Sequence, residues 1–525
     1  MGAIKGPGLG LTARDFYEAR VSEVTGDRSI RHRKERINNY LTGQLEQIRD
    51  GRIITVLQDG AFALITPRLF LPAINELHED LGQTPPVEFI LSDLHLYGDD
   101  RIKPMPIWLR KDPSDETKYS GADIIDRAVS VLSEGNEEFK HGLKINWLNY
   151  LPKGRWTEAF IGDGIVNFGG NQAKVDIGLV TTPPMFHLDG ADALKNAGVN
   201  HVYVEKPWGP ALDSELPNKI RRQVQNGILG TDFFVYGDAI SFLKRRPELL
   251  ENLGTLKEVH AVCSEPWPPE LGRGLTKESV MGSGVFSDTA SHCAAIVDDF
   301  LRWRYENKHS LTDTSLNLFE RGRLFGFEGD AHLETFGTTY GTLNTKKDGQ
   351  VKILLAGGKG TGGRLGGTDG GEYPFLGMTL LFEKGRVEVS LGFPNRYNPY
   401  VAVIPDDTKA DVQFFEIEGG KLGYNAMFAD WISRAQGSLI AKERIQNVSL
   451  AAENAMGYLT RAYNAARADN FRLSFYPQGE IPGNLYAFGS ASPLIKVSQD
   501  MSMFEQLGNS RESTSLESPF TGRNN

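Results

Sequence analysis

Cysteine is almost missing: Cys263 and Cys293 are the only two in 525 residues. Two thiols cannot staple a chain of this length, which excludes a disulfide framework and points to a reducing compartment. No run of roughly 18 apolar residues occurs, so no transmembrane helix is expected. The opening stretch, MGAIKGPGLGLTARDFYEAR, has no apolar segment of the kind a secretory signal needs. Its Met-Gly start fails the myristoylation pattern, since Gly6 stands where Ser or Thr is required. Positive charge is also in deficit. Lys and Arg number 57 against 67 Asp and Glu, a formal net charge of −10. Nucleic-acid and anionic-membrane surfaces need clustered Lys and Arg. The expectation is a cytoplasmic protein with no nucleic-acid and no membrane partner.

What is present is ordinary for a globular protein: 40% hydrophobic and 24% charged residues. The length predicts two to four domains. Residues 1–50 are polar and read as an N-terminal extension with a surface helix ending near Gly51. At Arg52 the pattern changes. RIITVL and VEFILSD are β-branched, uninterrupted apolar runs, as buried parallel strands require. LFLPAINELHEDLG and ADIIDRAVSVLSEG have helical periodicity, and LKINWL, VDIGLV and HVYVEKP read as further strands. Strands alternating with helices imply βαβ units with right-handed crossovers, hence a doubly wound parallel sheet over 51–237. After about Gly237 the segments EVHAVCSE, HLETFGTTYGTL, VKILLAG, GMTLLFEKGRVEVSLG and DVQFFEIEGG follow one another with hairpin-like turns. They predict a large, mostly antiparallel sheet in an α+β domain over 238–470. Two helical stretches close it, and 471–525 reads as a disordered tail. The run AGGKGTGGRLGGTDGGE is no Walker A loop, because Gly360 follows Lys359. A flexible hairpin tip and a mobile lid are the two readings it allows.

The chemistry-bearing positions lie at strand ends. Open α/β sheets bind ligands in the crevice at the carboxyl ends of their strands. A dinucleotide's pyrophosphate would approach the first βα turn, where glycines admit it to a helix N-terminus. That turn reads Gln58-Asp59-Gly60-Ala61-Phe62-Ala63. Gln58, Gly60, Phe62 and Ala63 are its candidate cofactor contacts, with Gln58 in place of the usual first glycine. An ordinary strand-to-helix turn fits the same residues. Asp93 ends the second strand, where a carboxylate can bond the adenosine ribose hydroxyls and repel a 2′-phosphate; a solvated strand-end Asp is the alternative.

The strongest segment is Val175 to Gly209, VDIGLVTTPPMFHLDGADALKNAGVNHVYVEKPWG. It reads as strand, Pro-rich turn, helix and strand, with Glu205-Lys206-Pro207 directly after the buried run. Downstream, GSGVFSDTASHCAAIVDDFL reads as a Gly-rich turn, with Gly282 and Gly284, leading to Asp288 and His292 on a helix. Asp and His at i and i+4 share a helix face. His exchanges a proton near neutral pH most readily, and a carboxylate one turn away can orient it. A surface hydrogen-bonded pair is the plainer reading.

Together these motifs resemble the Gfo/Idh/MocA family of NAD(P)-dependent oxidoreductases, glucose–fructose oxidoreductase and inositol dehydrogenase among them. Thr182, Pro183, Pro184, His187, Glu205, Lys206 and Pro207 match one signature in order, and Asp288 and His292 match a second. The resemblance spans roughly 52–467 and is thin outside the two motifs. The chain departs from it at Gln58, in a long insertion over about 94–170, and in both termini. Glucose-6-phosphate dehydrogenase also carries Glu-Lys-Pro followed by an aromatic and Gly, as in Trp208-Gly209. Its His-Tyr-Leu-Gly-Lys run is missing from FFVYGDAISFLKR.

The resemblance implies an N-terminal Rossmann domain binding NAD in preference to NADP through Gln58, Gly60, Phe62, Ala63, Asp93, Thr182, Pro183, Pro184, His187, Glu205 and Lys206. It implies catalysis by Lys206, Asp288 and His292 on a hydroxyl or carbonyl carbon of a sugar-like substrate, with no metal. His292 would move the proton, Lys206 would hold the substrate oxygen, and Asp288 would orient His292 or the substrate. Two other outcomes fit the same fold: a sugar-modifying enzyme that recycles bound NAD, or a nucleotide-sensing protein without catalysis. A homodimer or homotetramer is expected from the second sheet's apolar strands.

Overall fold

A computed structural model of the chain describes residues 53–60, 87–92, 103–104, 117–119, 123, 127, 143–147, 156–168, 170–236, 238–265, 277–306, 309–323, 332–359, 375–391, 399–407, 410, 412–416, 422–468 and 473–475. Phe62, Ala63 and Asp93, the helix expected at 69–82, the N-terminal extension and the centre of the Gly-rich run lie outside these.

The first sheet is parallel throughout. Its strands are β1 (Ile54–Asp59), β2 (Val87–Ser92), β3 (Leu143–Trp147), β4 (Ile177–Val180), β5 (His201–Val204) and β6 (Ile228–Gly230). Every residue of β1, β2 and β4 is buried, which is why they read as unbroken apolar runs rather than alternating ones. The order is β6-β5-β4-β1-β2-β3. The strand order therefore reverses between β1 and β4, the switch point of a Rossmann sheet. Two crossover helices are described: α1 (Pro184–Asn196), with Pro at its first position, and α2 (Leu216–Gln225). The sequence reading missed β6, whose three residues are too few to show a period. At the end of the stretch read as an insertion, Phe160–Gly162 and Ile165–Phe168 form a small antiparallel sheet with Asn171–Lys174 just beyond it.

After α3 (Asp238–Arg245) comes the second sheet. It contains β7 (Leu256–Glu265), β8 (His309–Arg323), β9 (His332–Thr345), β10 (Gly349–Lys359), β11 (Phe375–Phe382), β12 (Gly385–Ser390), β13 (Tyr400–Pro405), β14 (Gln413–Glu416) and β15 (Leu473–Phe475). Their order is β14-β13-β12-β11-β7-β10-β9-β8-β15. All neighbours are antiparallel except β7 with β10 and β8 with β15. β8, β13 and β15 are not legible as strands in the sequence. β15 comes from the region read as a tail, so pairing with β8 supplies order that local periodicity does not. Three helices complete the domain: α4 (Lys277–Tyr305), α5 (Leu422–Ala435) and α6 (Leu439–Ala468). Gly282 and Gly284 are corrected here. They lie inside α4, not in a turn before it. A helix glycine costs only about 1 kcal/mol relative to Ala, which the packing of a helix of 29 residues easily outweighs.

The two domains share one apolar core. Tyr203 of β5 stacks on Trp431 of α5, with ring centroids 4.5 Å apart and planes within 9°. Such a pair adds about 0.5–1.5 kcal/mol beyond its area burial. Gly230, at the end of β6, donates its N–H to Ser449 Oγ of α6 at 3.1 Å. A side chain there would strike the Trp208 ring, 2.4 Å from where its Cβ would lie. The edge of the first sheet is thus fixed against α5 and α6.

Candidate active site

The site is laid out by the residue that follows each strand of the first sheet. Gly60 N bonds Ser92 O (2.9 Å), Thr181 N bonds Asp59 O (2.8 Å), Glu205 N bonds Val180 O (2.9 Å) and Thr231 N bonds Val204 O (2.9 Å). These bonds carry the ladder one residue past the strands and align five strand ends. Lys206 and Asp232 come next in the chain, on the exits of β5 and β6.

At the switch point the exits of β1 and β4 nearly touch. Gly60 has φ +89°, and a Cβ there would lie 2.5 Å from Thr182 N. Only glycine tolerates both demands. Gln58 is corrected here. It belongs to β1 and is fully buried, and its Nε2 donates to Thr181 Oγ1 at 2.9 Å. Thr181 Oγ1 in turn donates to the carbonyls of Asp59 and Gly60, each at 3.0 Å. The Gln58 amide therefore braces the crevice instead of standing in its phosphate loop. Asp59 is also buried, and its Oδ2 lies 3.2 Å from where a Cβ on Gly190 of α1 would be. Thr182 is buried, and its Oγ1 has no partner among the described residues. It is a hydrogen-bonding group held at the crevice.

The Pro183-Pro184 turn starts α1, and His187 reaches back from its first turn. The ring bridges two loops, with Nδ1 2.8 Å from Pro207 O and Nε2 against Thr182 O. Burial holds its pKa down at about 4, against the pull of the two carbonyls. A neutral ring donates to only one of those carbonyls. His187 thus acts as a brace between the two turns. The Lys206–Pro207 peptide beyond it is cis.

Lys206 crosses to the second domain. Its Nζ donates to Asp288 Oδ1 at 2.9 Å and to Asp288 O at 3.2 Å, on α4. One turn later on α4, His292 Nδ1 lies 2.8 Å from Asp232 Oδ2, and both side chains are buried. The orienting carboxylate expected on His292 was Asp288, one turn away. The structure gives that place to Asp232, 60 residues earlier in the chain, and ties Asp288 to Lys206. Two cross-domain contacts, the Lys206–Asp288 ion pair and the His292–Asp232 hydrogen bond, thus set a Lys, two Asp and a His at the carboxyl edge of the sheet. With Asp232 a carboxylate, the ring proton belongs on Nδ1 and the lone pair on Nε2.

Glu205 sits behind this group, 6% exposed. Burial pushes its carboxyl up to about 8, although the Lys206 charge pulls the other way. Its Oε1 has no partner among the described residues, and it lines a small space with Thr231, Asp232 and Ser291.

No protein-family model matches the chain, and no curated protein matches it in sequence. Solved structures do align with it. A 3-ketoreductase from Actinomadura kijaniata, KijD10, solved with TDP-benzene and NADP, aligns at 14% identity and TM-score 0.49, covering 81% of this chain and 100% of its own. An oxidoreductase from Sinorhizobium meliloti aligns at 12% identity and TM-score 0.48, covering 80% and 98%. A UDP-N-acetylglucosamine 3-dehydrogenase, GnnA, from Acidithiobacillus ferrooxidans aligns at 13% identity and TM-score 0.45, covering 79% and 99%. Similarity at this level bears on neither the substrate nor the cofactor of this chain. Among the described residues no cluster of His, Cys, Asp and Glu could hold a metal ion, and no helix is long and apolar enough to cross a membrane.

Proposed function

We propose that the protein is a nicotinamide-dependent oxidoreductase acting on a CH–OH or carbonyl carbon of a sugar, polyol or derivative. The observation that carries this reading is the pair of cross-domain contacts, Lys206–Asp288 and His292–Asp232, at the carboxyl edge of a Rossmann-ordered sheet. A dinucleotide fits the crevice beside them. Gly60 brings two strand exits together without a side chain between them, and Thr182 Oγ1 is an unmet polar group there. Gly60, Thr182 and the turn at Pro183-Pro184 would hold it, with Phe62, Ala63 and Asp93 completing the grip. Bound nicotinamide supplies the hydride acceptor or donor.

The protein's own groups handle position and protons. In the oxidising direction His292 Nε2 takes the hydroxyl proton. Nδ1–H donates to Asp232, whose negative charge supports the imidazolium that forms. Lys206 donates a hydrogen bond to the substrate oxygen and stabilises the charge that develops on it. Asp288 holds the ammonium in place. Asp93 favours NAD over NADP, because a carboxylate at the adenosine ribose repels a 2′-phosphate.

The test begins with nucleotide released from denatured purified protein, identified by ultraviolet spectrum and mass, and with calorimetric titration of NAD and NADP. Lys206→Ala and His292→Ala should each lower kcat by about 10²–10⁴ while leaving cofactor affinity nearly unchanged. Near-normal kcat in either variant would remove that residue from the mechanism. Failure to bind either dinucleotide would remove the oxidoreductase reading, and tighter binding of NADP would overturn only the NAD preference.

A further inference from the structure

One buried carboxyl at the candidate active site takes no part in the chemistry proposed above. Glu205 leaves β5 one residue before Lys206 and is buried. Three carboxyl groups stand there against one ammonium. Asp288 Oδ1 accepts from Lys206 Nζ at 2.9 Å, and Asp232 Oδ2 lies 2.8 Å from His292 Nδ1. Each of those two has a donor. Glu205 differs: its Oε1 is buried with no partner among the described residues.

Glu205, Lys206, Thr231, Asp232 and Ser291 line one small space, so they are neighbours in position. The two hydroxyls are engaged elsewhere. Thr231 Oγ1 donates to Met427 Sδ at 3.0 Å, and Ser291 Oγ donates to Asp288 O at 2.9 Å. From α6 come Ala452, Ala455 and Met456, none of which carries charge. An ionised carboxylate is costly in such a place. It would lie beside the Asp232 charge, with only the Lys206 ammonium, already held by Asp288, to oppose it. Burial outweighs the pull of the Lys206 charge, Asp232 and Asp288 add to it, and Glu205 is pushed up to about 8. With its proton on and the His292 ring neutral, Glu205, Lys206, Asp232 and Asp288 together hold one net negative charge. With the proton off they hold two. His187 of α1, the other titratable group beside Lys206, is kept neutral by its own burial, at about 4.

That balance bears on a cofactor whose two forms differ in charge: the oxidised nicotinamide ring is positive and the reduced ring is neutral. We propose that Glu205 lets the site tell the two forms apart, keeping a proton in the free protein and releasing it to solvent when the oxidised form binds. The Glu205 O–H bond breaks, its electron pair stays on the carboxylate, and the proton passes to buffer; nothing is oxidised or reduced in this step. The new carboxylate offsets the added positive charge, since an opposite charge nearby favours the ionised form. With the reduced form no charge arrives and the proton stays. Glu205 has this role only if the chain binds nicotinamide as proposed above. By linkage, affinity for the oxidised form rises with pH while Glu205 is protonated and levels off above about 8.

Calorimetry at pH 7 in phosphate, HEPES and Tris, whose heats of ionisation differ, counts the protons released as NAD⁺ or NADH binds. If the protein prefers the 2′-phosphorylated pair, NADP⁺ and NADPH take their place. The expected count is about one proton per chain for the oxidised form and about none for the reduced form. Between pH 6 and 8 the Kd for the oxidised form should fall by up to about tenfold per unit, and that for the reduced form should stay level. Glu205→Gln, neutral at every pH, should release no proton and give a level profile for both. The profile of the parent protein needs no substitution, so it decides the matter even if the variant fails to fold. Oxidised dinucleotide that binds without releasing a proton would overturn the role of Glu205 alone. So would equal release with both forms, or release that persists in a Glu205→Gln protein whose near-ultraviolet circular dichroism matches the parent. Failure to bind any of these dinucleotides would overturn the oxidoreductase reading and this role with it.

Discussion

At Asp232 a carboxylate and a histidine ring are buried face to face, with His292 Nδ1 2.8 Å from Oδ2. Asparagine would keep the shape and remove the charge. It would also offer an amide N–H toward the ring, favouring the tautomer with the proton on Nε2, where the base needs its lone pair. Asp232→Asn should therefore lower kcat by about 10²–10⁴ with little change in cofactor affinity. Near-normal turnover would show that His292 needs no such partner. Asp232 is not legible in the sequence. Lys206 is, because a polar residue follows a buried strand at the sheet's carboxyl edge; Asp232 obeys the same rule after the short run ILG, but three residues are too few to show as a strand. Asp288 and His292 were legible as a pair from their spacing, but spacing could not say that each would choose a partner from the other domain.

Glu205 gives a second test at this scale. Its carboxyl is raised to about 8 in the fold, against about 4.3 in an unfolded chain. Between those values the folded state keeps a proton that the unfolded state has lost. Stability from this group is therefore full below the unfolded pKa, falls as pH rises through the window, and levels off above about 8. Glu205→Gln, which cannot titrate, should lose that slope. Urea unfolding of both proteins from pH 5 to 9 measures the difference; parallel curves would show that the carboxyl is ionised throughout.

Among the elements, the exit of β1 shows why a motif reading goes wrong at one position and right at the next. By sequence the turn reads as a phosphate loop with a missing first glycine. In the fold Gln58 is still in the strand, bonded to Thr181, and the constraint falls on Gly60. Gly60→Ala should destabilise the protein by at least about 2 kcal/mol, from the left-handed backbone and from overlap with the Thr182 amide. A shift in urea midpoint equivalent to less than about 0.5 kcal/mol would mean that the two strand exits can part. The same contrast runs along the whole chain. Fully buried strands such as β1, β2 and β4 announce themselves as β-branched runs. β8 reads as LTDTSLNLFERGR, half polar and broken by register shifts against β9, so only its neighbour makes it a strand. α4 reads as a Gly-Ser turn at 282–284, because the packing that keeps it helical is tertiary.

For the molecule as a whole, the register of the second sheet shows how its two faces are covered. Leu354 pairs with His260, His260 with Thr379, Thr379 with Glu388, and Glu388 with Ala402. Paired residues point to the same side, so these form one row across five strands. Their strand neighbours Val259, Ala261, Ile353, Leu380, Val387 and Val403 point to the other side, into the core shared with Ala294, Phe300 and Leu459 of α4 and α6. The row therefore marks the face turned away from those helices. It mixes apolar Leu354, Val262 and Ala402 with the ion pairs His260–Glu258 and Arg386–Glu388. Leu354, His260, Thr379, Glu388 and Ala402 are all buried within the single chain, so this row is covered without a partner and does not itself call for one. An assembly of two chains, expected from the apolar strands of this sheet, would give a particle of twice the 58.1 kDa chain mass, and a pair of pairs four times. Light scattering on the full chain at micromolar concentration decides the matter. A particle at the single-chain mass would overturn the expectation and would agree with a row that the chain already covers by itself.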